Sequence, residues 1–70
     1  MIIIKKREFC EKMARMGMTQ SELAKKAGLY QSYISMIVSG KRFIRATTAK
    51  KISEALECNF DEIFKFVERG

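Results

Sequence analysis

The sequence contains no proline, no histidine and no tryptophan, and only four glycines among its 70 residues. Each absence removes a class of function or fold. Without histidine, and with Cys10 and Cys58 far apart and in no C-x-x-C pair, a zinc site is effectively excluded. The lack of histidine, of a glycine-rich phosphate loop and of a clustered carboxylate pair also argues against a small hydrolase. The expectation is therefore of a protein that is not an enzyme and needs neither metal nor cofactor. With no disulfide-dense pattern around them, the two cysteines are expected to fill small apolar gaps as free thiols in a reducing cytoplasm. The opening "MIIIKKR" puts an apolar triplet ahead of its cations, the reverse of a signal peptide, and no apolar run approaches membrane-spanning length. A soluble, cytoplasmic protein with no membrane partner is expected.

Lack of proline, and of long runs in which Val, Ile or Thr alternate with polar residues, makes helices the default. Seventy residues hold one domain at most, with limited room for a core. Phe9, Met13 and Met16 fall at helical spacing and predict a first helix over residues 4–16, ended by Gly17. Thr19 and Glu22 form a T-x-x-E capping box that opens a second helix. Leu23, Ala24 and Ala27 are its inner face, Gly28 stops it, and Leu29 can plug the core behind it. A third helix over 31–39 turns Ile34, Ile37 and Val38 inward and ends at Gly40. After the loop "KRFIRA", Thr47 or Thr48 can cap a fourth helix running through Leu56. Asn59 and Glu62 then open a short fifth helix whose apolar residues are Phe60, Ile63, Phe64 and Val67. The expected fold is all-α, a compact five-helix domain filling residues 1–70 without linker or repeat.

Charge is present in excess of one sign, +6 at neutral pH, which favours acidic partners. It is also unevenly placed: residues 1–15 carry five cations and two acids, residues 41–52 five cations and no acid, and residues 53–70 five acids and two cations. A positive face with an acidic far end suits a polyanion docked on one side; a merely solvated basic surface is the alternative. The third helix breaks the pattern, because Gln31, Ser32, Tyr33, Ser35 and Met36 carry no charge on its outer side. A helix needing only solubility would normally place Lys or Glu there.

A capped helix, a short glycine-containing turn and a second helix with a polar outer face form a helix-turn-helix arrangement. The stretch "TQSELAKKAGLYQSYISMIVSGKR" resembles the Cro/repressor-type (XRE-like) helix-turn-helix family of small bacterial and phage regulators. The later "AKKISEALECNFDEIF" is similar to that family's closing helices. The resemblance implies a repressor-like fold and double-stranded DNA as partner, with the helix over 31–39 in the major groove. Gln31, Ser32, Tyr33 and Met36 then occupy base-facing positions, Gln31 suited to an adenine edge and Met36 to a thymine methyl. For Tyr33 and Met36 the alternative is packing on neighbouring helices. Gln20 takes the place where the family uses a glutamine to bond a phosphate and brace the recognition helix. Lys41, Arg42 and Arg45 fall in a loop that the family lays along the DNA backbone. Lys50 and Lys51 suit a phosphate contact or a solvated helix face equally.

The chain departs from the family pattern in two ways. Relatives often pair an arginine on the first helix with a glutamate near the end of the third, where this chain has Met13 and Val38; an apolar pair there is compatible with the fold. Tyr30 stands where relatives often have a Ser or Thr cap, a loss of about 1 kcal/mol that a phosphate bond from the tyrosine would offset. The family usually binds DNA as two-fold dimers, and an apolar patch suited to self-association is offered by Phe64, Phe66 and Val67, or by "MIII" as a short strand; ordinary core cover is the alternative for both. The expectation is thus a sequence-specific transcriptional regulator, a repressor acting as a homodimer. The alternative is an antitoxin-like module that also binds a protein partner.

Overall fold

The computed structural model describes residues 1–40 and 43–68. Its elements run β1 (Ile2–Ile4), α1 (Lys6–Met16), α2 (Gln20–Ala27), α3 (Gln31–Val38), α4 (Ala46–Ala55), α5 (Phe60–Ile63) and β2 (Phe64–Phe66). The five expected helices are present among the described residues, and a two-stranded antiparallel sheet joins the chain ends. Phe9, Met13, Leu23, Ile34, Ile37, Ile52, Leu56, Ile63 and Phe64 form the buried centre. Met13 is buried and Val38 packs partly buried against the same core, so both members of the pair that replaces the family's ion pair sit in apolar surroundings.

Local signals set the start and stop of α2. The Thr19 hydroxyl accepts the Glu22 N–H at 3.1 Å and the Glu22 carboxylate accepts the Thr19 N–H at 3.0 Å, closing the capping box. These bonds to Thr19, backbone first and then hydroxyl, hold the Glu22 carboxyl below its ordinary pKa. At the other end Gly28 adopts φ 71°. Its N–H donates to the Lys25 carbonyl at 3.3 Å, and the Leu29 N–H donates to the Ala24 carbonyl at 2.8 Å, the double bond pattern of a glycine-terminated helix.

Three helix ends differ from expectation. The fourth helix starts at Ala46, preceded by Arg45, whose side chain makes no capping bond, so neither Thr47 nor Thr48 caps it, and Thr48 is buried in its first turn. The cause is tertiary: Ile44 bridges to Ile2, which holds the backbone extended up to Arg45 and lets the helix begin directly afterwards. The fifth helix ends at Ile63, and Phe64–Phe66 is a strand. Ile2 pairs with Phe66, Ile3 with Lys65 and Ile4 with Phe64. Phe64 is therefore fully buried while Phe66 is 70% exposed, and only Phe66 and the half-buried Val67 remain of the apolar tail surface expected outside. The start of the first helix shifts for the same reason, since "III" belongs to β1 and α1 begins at Lys6.

Both cysteines are free, Cys10 exposed and Cys58 half-buried. Burial raises the Cys58 thiol pKa, with the Glu62 carboxylate adding to it and Lys12 opposing it.

Phe64→Ala is expected to cost about 3–5 kcal/mol in urea unfolding, whereas Phe66→Ala should cost well under half of that; equal losses would contradict the strand register. The Glu22 contribution should depend on pH. Because its pKa is lowered on folding, that contribution is fully present above the unfolded-state pKa and disappears as pH falls through the folded-state value. The stability gap between wild type and Glu22→Gln should therefore narrow on acidification through the carboxylate range.

Candidate nucleic-acid interface

Three residues, Gly28, Leu29 and Tyr30, connect α2 to α3. Leu29 packs against the core and pins this turn, while Tyr30 is 84% exposed. Tyr30 is the residue before α3 and makes no capping bond with its side chain. The amide N–H groups of the first turn of α3 thus lack a side-chain cap from Tyr30, and such groups suit an anionic ligand.

Along α3 the buried residues are Ile34 and Ile37, which turns Gln31, Ser32, Ser35 and Met36 to solvent. No acidic or basic residue lies in the first or last turn of this helix. Tyr33 is half-buried and packs against the core, and with Tyr30, Ser32 and Met36 it also lines a shallow open depression of about 350 Å³. The packing alternative for Tyr33 is thus seen in its inward-turned body, while part of the side chain lines the depression. Met36 stands outside the core with 43% exposure. Gln31 is exposed on the same end of the helix.

The residue at the start of α2 reaches this surface directly. The Ser35 hydroxyl donates to Gln20 Oε1 at 2.8 Å, so a side chain from the first position of α2 is tied to the outer face of α3. Sequence reasoning placed Gln20 here but missed Ser35 as its partner; the two lie 15 positions apart, and no local spacing rule joins them. Arg45 is exposed at the start of α4. Lys50 and Lys51 are exposed on α4, between the buried Ala49 and Ile52. Lys41 and Arg42 lie outside the described residues. Among the described residues no group of three His, Cys, Asp or Glu side chains is arranged to hold a metal ion, and no helix is long and apolar enough to cross a membrane.

A sequence-family model described as "Helix-turn-helix" matches residues 11–63. The chain belongs to this family, the XRE-type helix-turn-helix proteins. It is accordingly a DNA-binding transcriptional regulator. Among solved structures it is similar to the restriction-modification controller protein C.AhdI from Aeromonas hydrophila, with 26% sequence identity and a TM-score of 0.76 over 81% of this chain and 86% of that one. No curated protein matches the chain in sequence.

The Gln20–Ser35 bond can be tested without DNA. In a double-mutant cycle of Gln20→Ala and Ser35→Ala, unfolding free energies should show a coupling of about 0.5–1 kcal/mol, and additive losses would rule the bond out.

Proposed function

We propose that this regulator reads a specific operator through α3 and binds it as a homodimer. The observation that carries the reading is the exposed, uncharged outer face of α3, tied to the start of α2 through Gln20 and Ser35. A helix face rich in hydrogen-bonding groups and free of charge suits base edges, where phosphate attraction alone would call for cations. Gln31, Ser32, Tyr33 and Met36 take the base-facing roles: the Gln31 amide matches the donor and acceptor pair of adenine, and the Met36 thioether chain suits a thymine methyl. Gln20, Tyr30, Lys41, Arg42 and Arg45 contact phosphates and set the register of the helix on the duplex. The excess of cations over residues 41–52 supports that division of labour.

The protein acts as a repressor of the phage, plasmid or mobile-element kind, working on DNA in the bacterial cytoplasm or nucleoid. A domain seated in the groove over a promoter excludes other proteins from it. The likeness to a restriction-modification controller favours a regulator over an antitoxin-like module with a protein partner.

Selection of bound duplexes from a randomised pool at near-physiological salt tests this reading. A palindromic motif with half-sites about one helical turn apart is expected; salt-sensitive binding with no motif would contradict it. On the selected duplex Gln31→Ala should lose about 1–3 kcal/mol with little change on random DNA. Arg45→Ala should weaken both alike, and equal loss on both sequences for Gln31→Ala would remove α3 from the groove.

A further inference from the structure

The outer side of α3 divides into two rows of unlike chemistry. Gln31 and Ser35 stand one turn apart, and the Ser35 hydroxyl is tied to Gln20, so this row carries amides and a hydroxyl. Ser32 and Met36 form the neighbouring row, and with Tyr30 and Tyr33 they line the depression of about 350 Å³. Its walls are two aromatic rings and a thioether chain. Tyr33 is held against the core, whereas Tyr30 and Met36 are exposed. Among the described residues that line it, none carries a charge or a side-chain amide, and every side-chain polar oxygen belongs to a hydroxyl.

Base edges in the major groove offer hydrogen-bond acceptors, donors and one apolar group, the C5-methyl of a pyrimidine. Rings and a thioether return little to a donor or acceptor that they strip of water, which makes its burial there costly. A methyl group loses nothing by entering, and the negative ring faces attract its slightly positive hydrogens. The depression is wider than one methyl group, so the ring edge that bears the methyl enters with it.

The exocyclic group beside that position distinguishes the two pyrimidines, because thymine has an O4 acceptor and cytosine an N4 donor. A cation would serve only the first and a carboxylate only the second. A hydroxyl donates to one and accepts from the other. Hydroxyls in the lining therefore let the site select for the methyl group and not for the base.

We propose that this depression is a methyl-reading subsite, which takes the C5-methyl edge of thymine or of 5-methylcytosine and rejects unmethylated cytosine. The proposal rests on α3 lying in the major groove, and adds that cytosine methylation of the operator controls binding. Tyr33 is the inner wall, Tyr30 and Met36 the outer walls, and the Ser32 hydroxyl serves the exocyclic group. The Tyr30 ring acts as a wall while its hydroxyl stays at the rim for a phosphate. An operator with cytosine at this position is bound in its methylated state and released in its unmethylated one.

Fluorescence anisotropy on the full chain with the selected duplex tests the subsite. Each thymine is replaced in turn by deoxyuridine, which deletes the methyl group and nothing else. One position in each half-site should lose about fourfold in affinity, the equivalent of one buried carbon. With cytosine placed at that position, C5-methylation should raise affinity by a similar factor. Met36→Ala and Tyr30→Ala should bring the thymine-to-uracil ratio close to unity, while Gln31→Ala lowers affinity and keeps the ratio. Each ratio is taken within a single variant, so a partly unfolded fraction cancels from it. No uracil-sensitive position, a ratio unchanged in both variants, or no gain on cytosine methylation overturns the methyl subsite; the Gln31→Ala loss on the selected duplex then keeps α3 in the groove. A pool that yields no motif overturns the α3 reading and the subsite with it.

Discussion

The three-residue turn at Gly28, Leu29 and Tyr30 is the constraint on which the rest of the molecule depends. Gly28 takes a left-handed conformation that costs a residue with a Cβ about 1 kcal/mol or more, and it reverses the chain as soon as α2 ends. Leu29 then enters the core, so the turn is fixed from inside, and α3 starts at the next residue but one. Ile34 and Ile37 are buried as a consequence, and burial of that side of the helix is what presents Gln31, Ser32 and Met36 to the outside. The Ser35–Gln20 bond adds a tie on the solvent side. α3 is held by apolar packing beneath and by a hydrogen bond above, which suits an element whose outer face must keep its geometry against a ligand.

Charge and packing are kept apart in this small domain. The core is almost wholly apolar, and among the described residues no buried polar side-chain atom lacks a hydrogen-bond partner. Ser53 is buried but donates to the Ala49 carbonyl at 2.9 Å. The described ion pairs, Arg7–Glu11 and Lys26–Glu57, are both on the surface, where each contributes little to stability. The cations therefore remain available for long-range attraction of a polyanion.

The chain ends show where local patterns mislead. Phe60, Ile63, Phe64 and Val67 fit a helical period well enough to extend the fifth helix, yet Phe64, Lys65 and Phe66 also alternate with period two, and the strand wins because β1 is there to pair with it. An isolated pair of three-residue strands is marginal at best; it persists because Ile2 and Phe64 are both buried in the core. The end of α4 is similar. Glu57 takes a positive φ of 54° and its N–H donates to the Glu54 carbonyl while that of Cys58 donates to Ser53, the arrangement that Gly28 provides for α2. Nothing in the composition marks Glu57 for this conformation.

By itself, the sequence determined the helices that carry their own punctuation. The Thr19–Glu22 box, Gly17 and Gly28, and the inward positions of Leu23, Ala24, Ile34 and Ile37 are legible because their causes lie within a few residues of one another. The uncharged face of α3 was legible for the same reason, since helical periodicity separates it from the core side. Only the tertiary structure decided the Gln20–Ser35 bond, the start of α4 at Ala46, and the β1–β2 pairing that buries Phe64 and exposes Phe66. Each of these joins residues far apart in the chain, and such contacts form only once packing has brought their elements together, which no short-range preference encodes.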